Sequence, residues 1–313
     1  MTVGVLARGG WLPLVLFLGF ALVPWLAGDG FMVSLVGRVM IFALVALSLD
    51  LILGVGGLAS LGHAAFIGIG AYAVGIGTAH DVYEGLVTIP LGLLAAGLFA
   101  LVTGAISLRT RGVYFIMITL AFGQMAFFTA TSLSVYGGDD GLTLWGRTEL
   151  AGQRWLEDDI TLYYTILGCL LGSFLLLRAV VRSRFGRVLQ ATRQNPARVA
   201  ALGLEPFRYR LTAYVIAGML ASLGGMLLAN HTEFVSPAYM TWQRSGELIV
   251  MVVLGGMGTL SGAILGAVSF MLLEEYLAEI TQHWRLIFGP LLILVVLYAR
   301  GGLARFLGAG GDA

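Results

Sequence analysis

The chain has 313 residues, of which 58% are hydrophobic and 11% are charged, and its formal net charge is +1. Ordinary soluble domains carry about 25% charged residues, so this composition argues against a soluble enzyme and against a disordered chain. A net charge so close to zero also argues against a nucleic-acid-binding protein. Because a transmembrane helix needs about 20 apolar residues, the length and a mean hydropathy of +0.92 predict an all-α, polytopic transmembrane helical bundle of about ten spans.

Long apolar runs follow one another along the chain and mark the predicted spans. In order, they cover residues 11–27, 31–53, 61–78, 86–107, 112–136, 160–177, 209–229, 247–273 and 286–299. The first run has the position of a signal peptide, but no small-residue cleavage motif follows it, so we predict an anchored span. All of residues 1–313 are predicted to form a single transmembrane domain.

The distribution of arginine sets the predicted orientation. Residues 178–210 carry eight of the 18 basic residues, all of which are arginine, and this excess predicts a cytoplasmic loop. Residues 137–159 carry six acidic residues and two arginines and are predicted to lie on the opposite side. Arg300 and Arg305 place the C-terminus on the cytoplasmic side as well, so 247–273 must cross an even number of times, and the same count applies to 31–78. With two crossings in each run, the total is ten and both termini are cytoplasmic; a re-entrant hairpin is the alternative.

Two of the apolar runs are interrupted by glycine clusters that resemble each other. The first cluster extends from Gly54 to Gly57, and the second extends from Gly255 to Gly258. Freed backbone groups are costly in lipid, so a broken helix survives there only against protein or a water-filled cavity. Paired breaks of this kind point to a transport site near the bilayer midplane. Two ordinary cytoplasmic turns between spans are the alternative interpretation.

Small and polar residues in or near the breaks are candidates for lining a translocation pathway. They are Gly56, Gly57, Ser60, His63, Thr119, Gln124, Gly255, Gly256, Thr259 and Ser261. His63 can equally serve as a hydrogen-bonding group between helices. Two acids, Asp50 and Glu247, fall at or near membrane depth, where an acidic residue is a functional hypothesis by default. If the first break lies at the membrane surface, Asp50 is instead a hydrated interfacial acid. The histidines show no metal-ligand spacing, so no metal site is predicted.

Small residues repeat at a spacing of four after the second break, at Gly258, Gly262 and Gly266. Residues three or four apart share one face of a helix, and small residues on such a face let two helix backbones approach closely. The spacing therefore predicts helix–helix packing, either within the chain or with a neighbouring chain.

The arginine-rich loop 178–210 is predicted to contain two short helices. The first covers about 186–194 and the second covers 196–202, with Asn195 as its N-cap and Pro196 in its first turn. Gly203 suits the position after a helix end. Two interpretations remain open: this loop docks on a partner protein, or it only grips anionic lipid.

Five segments resemble the signatures of one known family, the permeases of branched-chain amino-acid ABC importers. They are Leu49–Phe66, Arg111–Phe115, Phe185–Arg187, Ala200–Gly203 and Leu254–Thr259. The resemblance covers roughly residues 35–305, and the segments occur in the family's order. The N-terminal extra span and the loop 137–159 resemble the longer of the family's two permease types.

The resemblance implies an inner-membrane permease subunit of a bacterial ABC importer, which is not itself an enzyme. The partners implied are a second homologous permease, two cytoplasmic ATPase subunits, a periplasmic substrate-binding protein and the lipid bilayer, and loop 137–159 is then periplasmic. The chain binds no cofactor in this interpretation, because ATP and Mg²⁺ belong to the ATPase subunits. The sequence contains no lysine, and a phosphate-binding loop for ATP needs one, so the composition fits an ATP site on other subunits. The implied substrates are branched-chain amino acids, or related small amino acids and amides.

The family's loop that docks on the ATPase is matched only in part. The implied coupling residues are Arg193, Asn195, Pro196, Arg198, Ala200, Ala201 and Gly203. Arg198 and Val199 stand where the family has an acidic residue, so the resemblance implies a docking region rather than individual contacts. A secondary transporter that uses broken helices and an ion gradient is the alternative function.

Overall fold

The computed structural model describes residues 12–26, 30–280, 283, 286, 289–290 and 301–306. These residues are mostly helical, with one short sheet of two strands. The helices are α1 (Leu12–Leu26), α2 (Gly30–Asp50), α3 (Ala64–Ala79), α4 (Gly85–Ser107), α5 (Val113–Ser132), α6 (Asp159–Arg182), α7 (Arg184–Gln194), α8 (Pro196–Ala201), α9 (Pro206–Thr232), α10 (Trp242–Gly255), α11 (Leu260–Ile280) and α12 (Leu303–Phe306). The strands are β1 (Leu142–Thr143) and β2 (Phe234–Val235).

Several of these helices are long and apolar enough to cross a membrane. Five described segments qualify individually: Gly30–Val55, Gly85–Ser107, Val113–Ser132, Asp159–Arg182 and Pro206–Thr232. The helices α10 and α11 qualify together, but they are bent by 117° at the break between them. The helices α1 and α3 are apolar but shorter, with 15 and 16 residues. The prediction of an all-α polytopic protein is confirmed, whereas the last predicted span, 286–299, lies largely outside the described residues.

Helix α2 forms the centre of the bundle. Every residue from Val39 to Asp50 is buried, whichever side of the helix it occupies. A helix that is apolar all round has no face that favours water, and α2 is accordingly surrounded by α6, α9, α10 and α11. The core of the protein therefore lies along this helix.

Small residues allow α3 and α9 to pack at backbone contact. A Cβ atom at Gly70 would collide with the carbonyl oxygen of Ser222, and one at Gly225 would collide with the carbonyl oxygen of Ile67. Close approach of this kind gains van der Waals contact in a solvent that supplies no hydrophobic drive between helices. The α3–α9 pair is consequently one of the most extensive contacts between helices in the described part of the chain.

The loop between α5 and α6 folds against the end of α9, and we call this end of the molecule the acidic end. Strand β1 pairs antiparallel with β2, with Leu142 opposite Val235. The Arg147 guanidinium forms ion pairs with Asp159 at 2.7 Å and with Glu233 at 2.9 Å. The loop is therefore held to the helices by both backbone and side-chain contacts.

The N-cap of α6 also lies at the acidic end. The carboxylate of Asp158 accepts hydrogen bonds from the hydroxyl of Thr161 at 2.7 Å and from its backbone N–H at 3.0 Å. These two bonds favour the ionised carboxylate and hold the pKa of Asp158 below its usual range. The carboxylate thus satisfies one of the free N–H groups of the first helical turn.

Helix α1 connects the two ends of the molecule. The indole N–H of Trp25 donates to the hydroxyl of Tyr164, near the start of α6, at 3.2 Å. At the other end of α1, Leu12 packs with Ala304 of α12. We call the end that contains α7, α8 and α12 the arginine end. The first described residues of the chain and residues 301–306 thus lie at the same end.

Candidate functional site: the junction of two broken helices

The first break begins with a widened helical turn and continues as an unwound segment. Helix α2 passes into a π-helical turn over Leu51–Val55, and regular helix resumes only at Ala64. Turns of this kind occur often at functional sites. Gly57 has a φ of 71°, a left-handed conformation that glycine adopts without the Cβ clash. The N–H of Leu58 closes the turn by donating to the carbonyl of Ile52 at 2.8 Å.

The second break is a tight turn between α10 and α11. Gly256 and Gly258 both have positive φ values, 117° and 81°. The hydroxyl of Thr259 donates to the carbonyl of Gly256 at 2.6 Å, which satisfies an acceptor freed at the end of α10. The turn reverses the chain, so α11 packs back against α10.

The two breaks meet each other. The carboxylate of Asp50 accepts a hydrogen bond from the backbone N–H of Gly258 at 2.7 Å. A Cβ atom at Gly54 would collide with the backbone of Gly258 and with the Asp50 carboxylate. Asp50 is completely buried and is therefore not a hydrated interfacial acid. The clusters that resemble each other in sequence thus form one junction, which we define as residues 50–58 and 255–259.

The arginine-rich loop reaches this junction directly. The guanidinium of Arg193, in the last turn of α7, donates to the carbonyl of Gly54. Its aliphatic part covers Gly57, where a Cβ atom would lie 2.7 Å from the Arg193 Cγ. Gly256 abuts residue 301 in the same way, since a Cβ there would lie 2.6 Å from the Gly301 carbonyl oxygen. Both glycine turns therefore lie at the arginine end.

Both breaks therefore lie at one end of the bundle, and their depth in the bilayer stays a prediction. The continuous helix Gly30–Val55 has 26 residues, which corresponds to roughly 38 Å at 1.5 Å per residue. The apolar part of a bilayer is only about 30 Å thick. The helix is thus long enough for a complete crossing before the chain reaches Gly56.

The unwound segment that follows the first glycine turn leads back into the protein. Ser60 and His63 are both completely buried. The His63 Nε2 lies 2.9 Å from the Ser48 hydroxyl of α2. His63 therefore forms a hydrogen bond between helices, which is one of the two roles predicted for it. The backbone N–H of Leu61 donates to the hydroxyl of Thr119, on α5, at 3.3 Å. The structure thus brings Ser60, His63 and Thr119 together around the unwound residues.

A second unwound segment runs alongside α3 from the acidic end. A Cβ atom at Gly75 would lie 3.2 Å from the Cγ2 of Val235, and a Cβ atom at Gly68 would collide with the side chain of Met240. Further along, the hydroxyl of Ser245 accepts a hydrogen bond from the N–H of Ala64, the first residue of α3, at 3.0 Å. The first turns of α3 and α10 therefore lie side by side within the bundle.

Other predicted pathway residues lie apart from this cluster. Gln124 is half-buried on α5, more than one turn beyond Thr119, and Ser261 is half-buried in the first turn of α11. Glu247 forms an ion pair with Arg244 at 2.6 Å on α10. No described contact joins Gln124 or Glu247 to the glycine junction.

The glycine ladder of α11 packs within the chain. A Cβ atom at Gly262 or at Gly266 would collide with the backbone of α10, at Gly255 and at Met251 respectively. Gly258 instead faces Gly54, with 3.3 Å between its Cβ position and the Gly54 carbonyl oxygen. The ladder thus explains how α10 and α11 form a close hairpin.

The local predictions for the arginine loop are confirmed. The side chain of Asn195 accepts a hydrogen bond from the N–H of Arg198 at 3.0 Å, and Pro196 is the first residue of α8. Gly203 follows the helix end with a φ of 78°. Most of the predicted coupling residues are exposed: Arg193, Asn195, Arg198, Ala200, Ala201 and Gly203.

Ser245 was not identified from the sequence, because its partner Ala64 lies 181 positions away. Replacing Ser245 by alanine leaves the buried N–H of Ala64 without its acceptor, so we expect the free energy of unfolding to fall by about 1–3 kcal/mol. The apparent midpoint of thermal unfolding in detergent measures this loss. Ser132→Ala is the control, since that exposed hydroxyl bonds only within its own helix. Equal midpoints for both variants would contradict the assigned role.

Comparison with known proteins identifies the family of this chain. The family model described as branched-chain amino acid transport system / permease component matches residues 31–297. The chain belongs to this family. Its members are transport permeases rather than enzymes, and the predicted resemblance is confirmed. No solved structure matches the chain.

Individual relatives define the type of permease. The high-affinity branched-chain amino acid transport system permease protein LivM of Escherichia coli is 29% identical over 90% of this chain and 71% of its own length. The corresponding LivH protein of Salmonella typhimurium is 29% identical over only 39% of this chain and 40% of its own length. The L-arabinose ABC transporter permease AraH of Azospirillum brasilense is 25% identical over 85% of this chain and 77% of its own length. The similarity to LivM supports the longer permease type.

Proposed function

We propose that this protein is the inner-membrane permease subunit of an ATP-driven importer that takes its substrate from a periplasmic binding protein. The substrates proposed are branched-chain amino acids or related small amino acids and amides, as the name of the LivM relative suggests. The observation that carries this proposal is the contact between the arginine loop and the first break, in which Arg193 bonds to Gly54. This contact offers a direct mechanical path from the cytoplasmic surface to a broken helix.

The contact accounts for energy coupling in physical terms. Helix α7 has only 11 residues, and α8 has six, so neither is stable without tertiary contacts. Their exposed surface is available to dock an ATPase subunit, while Arg193 is hydrogen-bonded to the widened turn after α2. Movement of α7 by the ATPase would thus pull on Gly54, and Asp50 would transmit that movement to Gly258. Both breaks would respond together, as alternating access requires.

The proposed topology has ten crossings, with both termini in the cytoplasm. The packing of Leu12 against Ala304 supports it, because it puts the two ends of the described chain on the side of the arginine loop. In this topology α3 and α10 are incomplete crossings, each extended by an unwound segment. The acidic loop 137–159 then faces the periplasm, where the binding protein is expected.

The remaining partners follow from the same proposal. A second homologous permease, of the type that LivH represents, would complete the pore, and two ATPase subunits would hold ATP and Mg²⁺. The present chain would bind no cofactor. The lipid bilayer would cover the exposed apolar faces of helices such as α4 and α5.

Reconstitution tests the proposal. The permease is placed in liposomes together with its partner permease, ATPase subunits and binding protein, and uptake of labelled leucine is measured with and without ATP. We expect uptake only when ATP and the binding protein are both present. Leucine uptake by this chain alone, driven by an ion gradient, would support a secondary transporter and contradict the proposal.

A loop replacement in the same system tests the docking of the ATPase. Replacing residues 196–203 by a Gly/Ser stretch removes α8 and is expected to abolish ATP-driven uptake, because the ATPase loses its docking surface. Membrane insertion, measured by the amount of protein in the membrane fraction, should be unchanged. If the replaced protein transports at the normal rate, the arginine loop serves orientation or lipid contact only.

A further inference from the structure

An ion pair on α10 has no role in the junction described above. Arg244 and Glu247 are joined at 2.6 Å, and their side chains remain 31% and 23% exposed. The Arg244 guanidinium also lies over the ring of Phe42, on α2, at 5.3 Å from its centroid. The pair is therefore held in place by packing, yet part of each charged side chain is open to the surroundings.

Phe42 lies half-way along the helix Gly30–Val55, so in the proposed topology this pair lies near the middle of the membrane. Phe42 comes 12 residues after the start of the helix Gly30–Val55 and 13 residues before its end, which is about 18 Å from the acidic end at 1.5 Å per residue. Ser245, the neighbour of Arg244 in sequence, contacts the first residue of α3 inside the bundle. Both contacts thus put the first turn of α10 against the interior of the bundle.

A second ion pair lies one helical turn closer to the acidic end. Arg38 and Glu275 are joined at 3.2 Å, with side chains 42% and 31% exposed. Arg38 and Phe42 are four residues apart and share one face of α2. The four charged residues Arg38, Glu275, Arg244 and Glu247, which we call the charged track, therefore extend from near the acidic end to mid-depth. Their net charge is zero.

Charges at this depth restrict what covers the charged track. A charged side chain facing the lipid interior costs at least about 2.5–3.5 kcal/mol, so such residues face protein or a water-filled cavity. Two partly exposed pairs in succession, beginning near the outer surface, suit a hydrated route better than a dry contact. A dry contact would remove water from four charges at a cost that ion pairing often fails to recover.

We propose that the charged track borders the substrate passage and that Arg244 and Glu247 bind a zwitterionic amino acid. The guanidinium fits the α-carboxylate with two parallel hydrogen bonds, and the Glu247 carboxylate fits the α-ammonium group. When the substrate binds, Arg244 and Glu247 each exchange the other for a charged group of the substrate, so no buried charge is left without a partner. This inference rests on the proposed import function and adds to it the residues that recognise the backbone of the substrate.

Access of water to the charged track is tested by cysteine labelling of the assembled importer. In a Cys169→Ala background, Gly246→Cys adds a thiol between the two charged residues, at a position with no atom within 4 Å of the new Cβ. Gly168→Cys, on an exposed and equally open part of α6, is the control. A charged, membrane-impermeant thiol reagent reacts with the thiolate, which forms only in water, so we expect labelling at least about ten-fold faster at residue 246.

The labelling result separates the competing explanations without relying on transport. Slow labelling at 246 in the assembled importer, with fast labelling in the isolated permease, would show that the partner permease covers the charged track and would overturn the inference. Equally slow labelling of both cysteines in both preparations would also overturn it. Protection of residue 246 by leucine-loaded binding protein during ATP turnover would support it.

Neutral substitutions test recognition itself. Arg244→Gln and Glu247→Gln are each expected to lower leucine uptake at least ten-fold, while ATP hydrolysis stimulated by the loaded binding protein continues. Arg184→Gln removes an exposed arginine at the start of α7 and should leave uptake unchanged. Normal uptake in both α10 variants would overturn the inference but leave the import function standing. Loss of ATP-dependent uptake in the unaltered protein would instead refute the import function.

Discussion

Replacing Gly54 by alanine is expected to slow transport strongly, although only one methyl group is added. That methyl group would overlap the backbone of Gly258 and the carboxylate of Asp50, so the two breaks would have to separate. Overpacking of this kind costs about 1–3 kcal/mol, which corresponds to roughly 5- to 150-fold in a rate if the strain falls on the transport step. The measurement is ATP-driven leucine uptake by the reconstituted importer.

A matched glycine controls for the effect of alanine on helices. Gly172 lies on α6 with no atom within 4 Å of its Cβ position, so Gly172→Ala should transport normally. The amount of assembled complex, measured by co-purification of the ATPase, shows whether Gly54→Ala fails to assemble or assembles without transporting. Normal uptake by the Gly54→Ala importer would mean that contact between the breaks is not required.

Replacing Arg193 by alanine is expected to uncouple ATP hydrolysis from transport. The substitution removes the hydrogen bond to the Gly54 carbonyl and the cover over Gly57, while α7 and α8 keep their capping residues. Coupling between two sites is typically worth about 1–3 kcal/mol, or 5- to 150-fold, and we expect leucine uptake to fall within that range. Stimulated ATP hydrolysis, measured on the same preparation, should persist.

Two further variants sharpen this prediction. Arg184→Ala removes an exposed arginine at the start of α7, where a cation is unfavourable to the helix dipole, and should leave coupling intact. Arg193→Lys keeps the charge but not the fork of donors and should restore uptake in part. If Arg193→Ala loses ATP hydrolysis together with uptake, the side chain acts in docking the ATPase rather than in transmitting its motion.

The Gly54→Ala and Arg193→Ala predictions concern two different contacts of the same junction. Gly54 contacts the second break through Gly258 and accepts the hydrogen bond from the arginine loop through its carbonyl. A single residue thus joins three segments that are distant in sequence. If transport depends on this arrangement, the first substitution prevents the breaks from meeting, and the second disconnects them from the cytoplasmic surface.

Local features of the site were predictable from the sequence because neighbouring residues cause them. Composition alone indicates a membrane protein, since a chain with 11% charged residues cannot cover a soluble surface. The cap at Asn195 and the left-handed Gly203 depend on backbone chemistry within a few residues. The glycine breaks were located for the same reason, because positive φ angles at Gly57, Gly256 and Gly258 favour glycine.

The contacts that turn these features into a site required three-dimensional coordinates. Gly54 lies 139 positions from Arg193, and Asp50 lies 208 positions from Gly258. No sequence period encodes such pairs. A membrane helix that is apolar on every face carries no pattern that shows which face packs against which neighbour. The position of the glycine turns at the arginine end and the burial of Asp50 follow from how the helices pack around α2. Packing also sets Arg244 against Phe42, half-way along the helix Gly30–Val55, since only the folded bundle brings those two helices together.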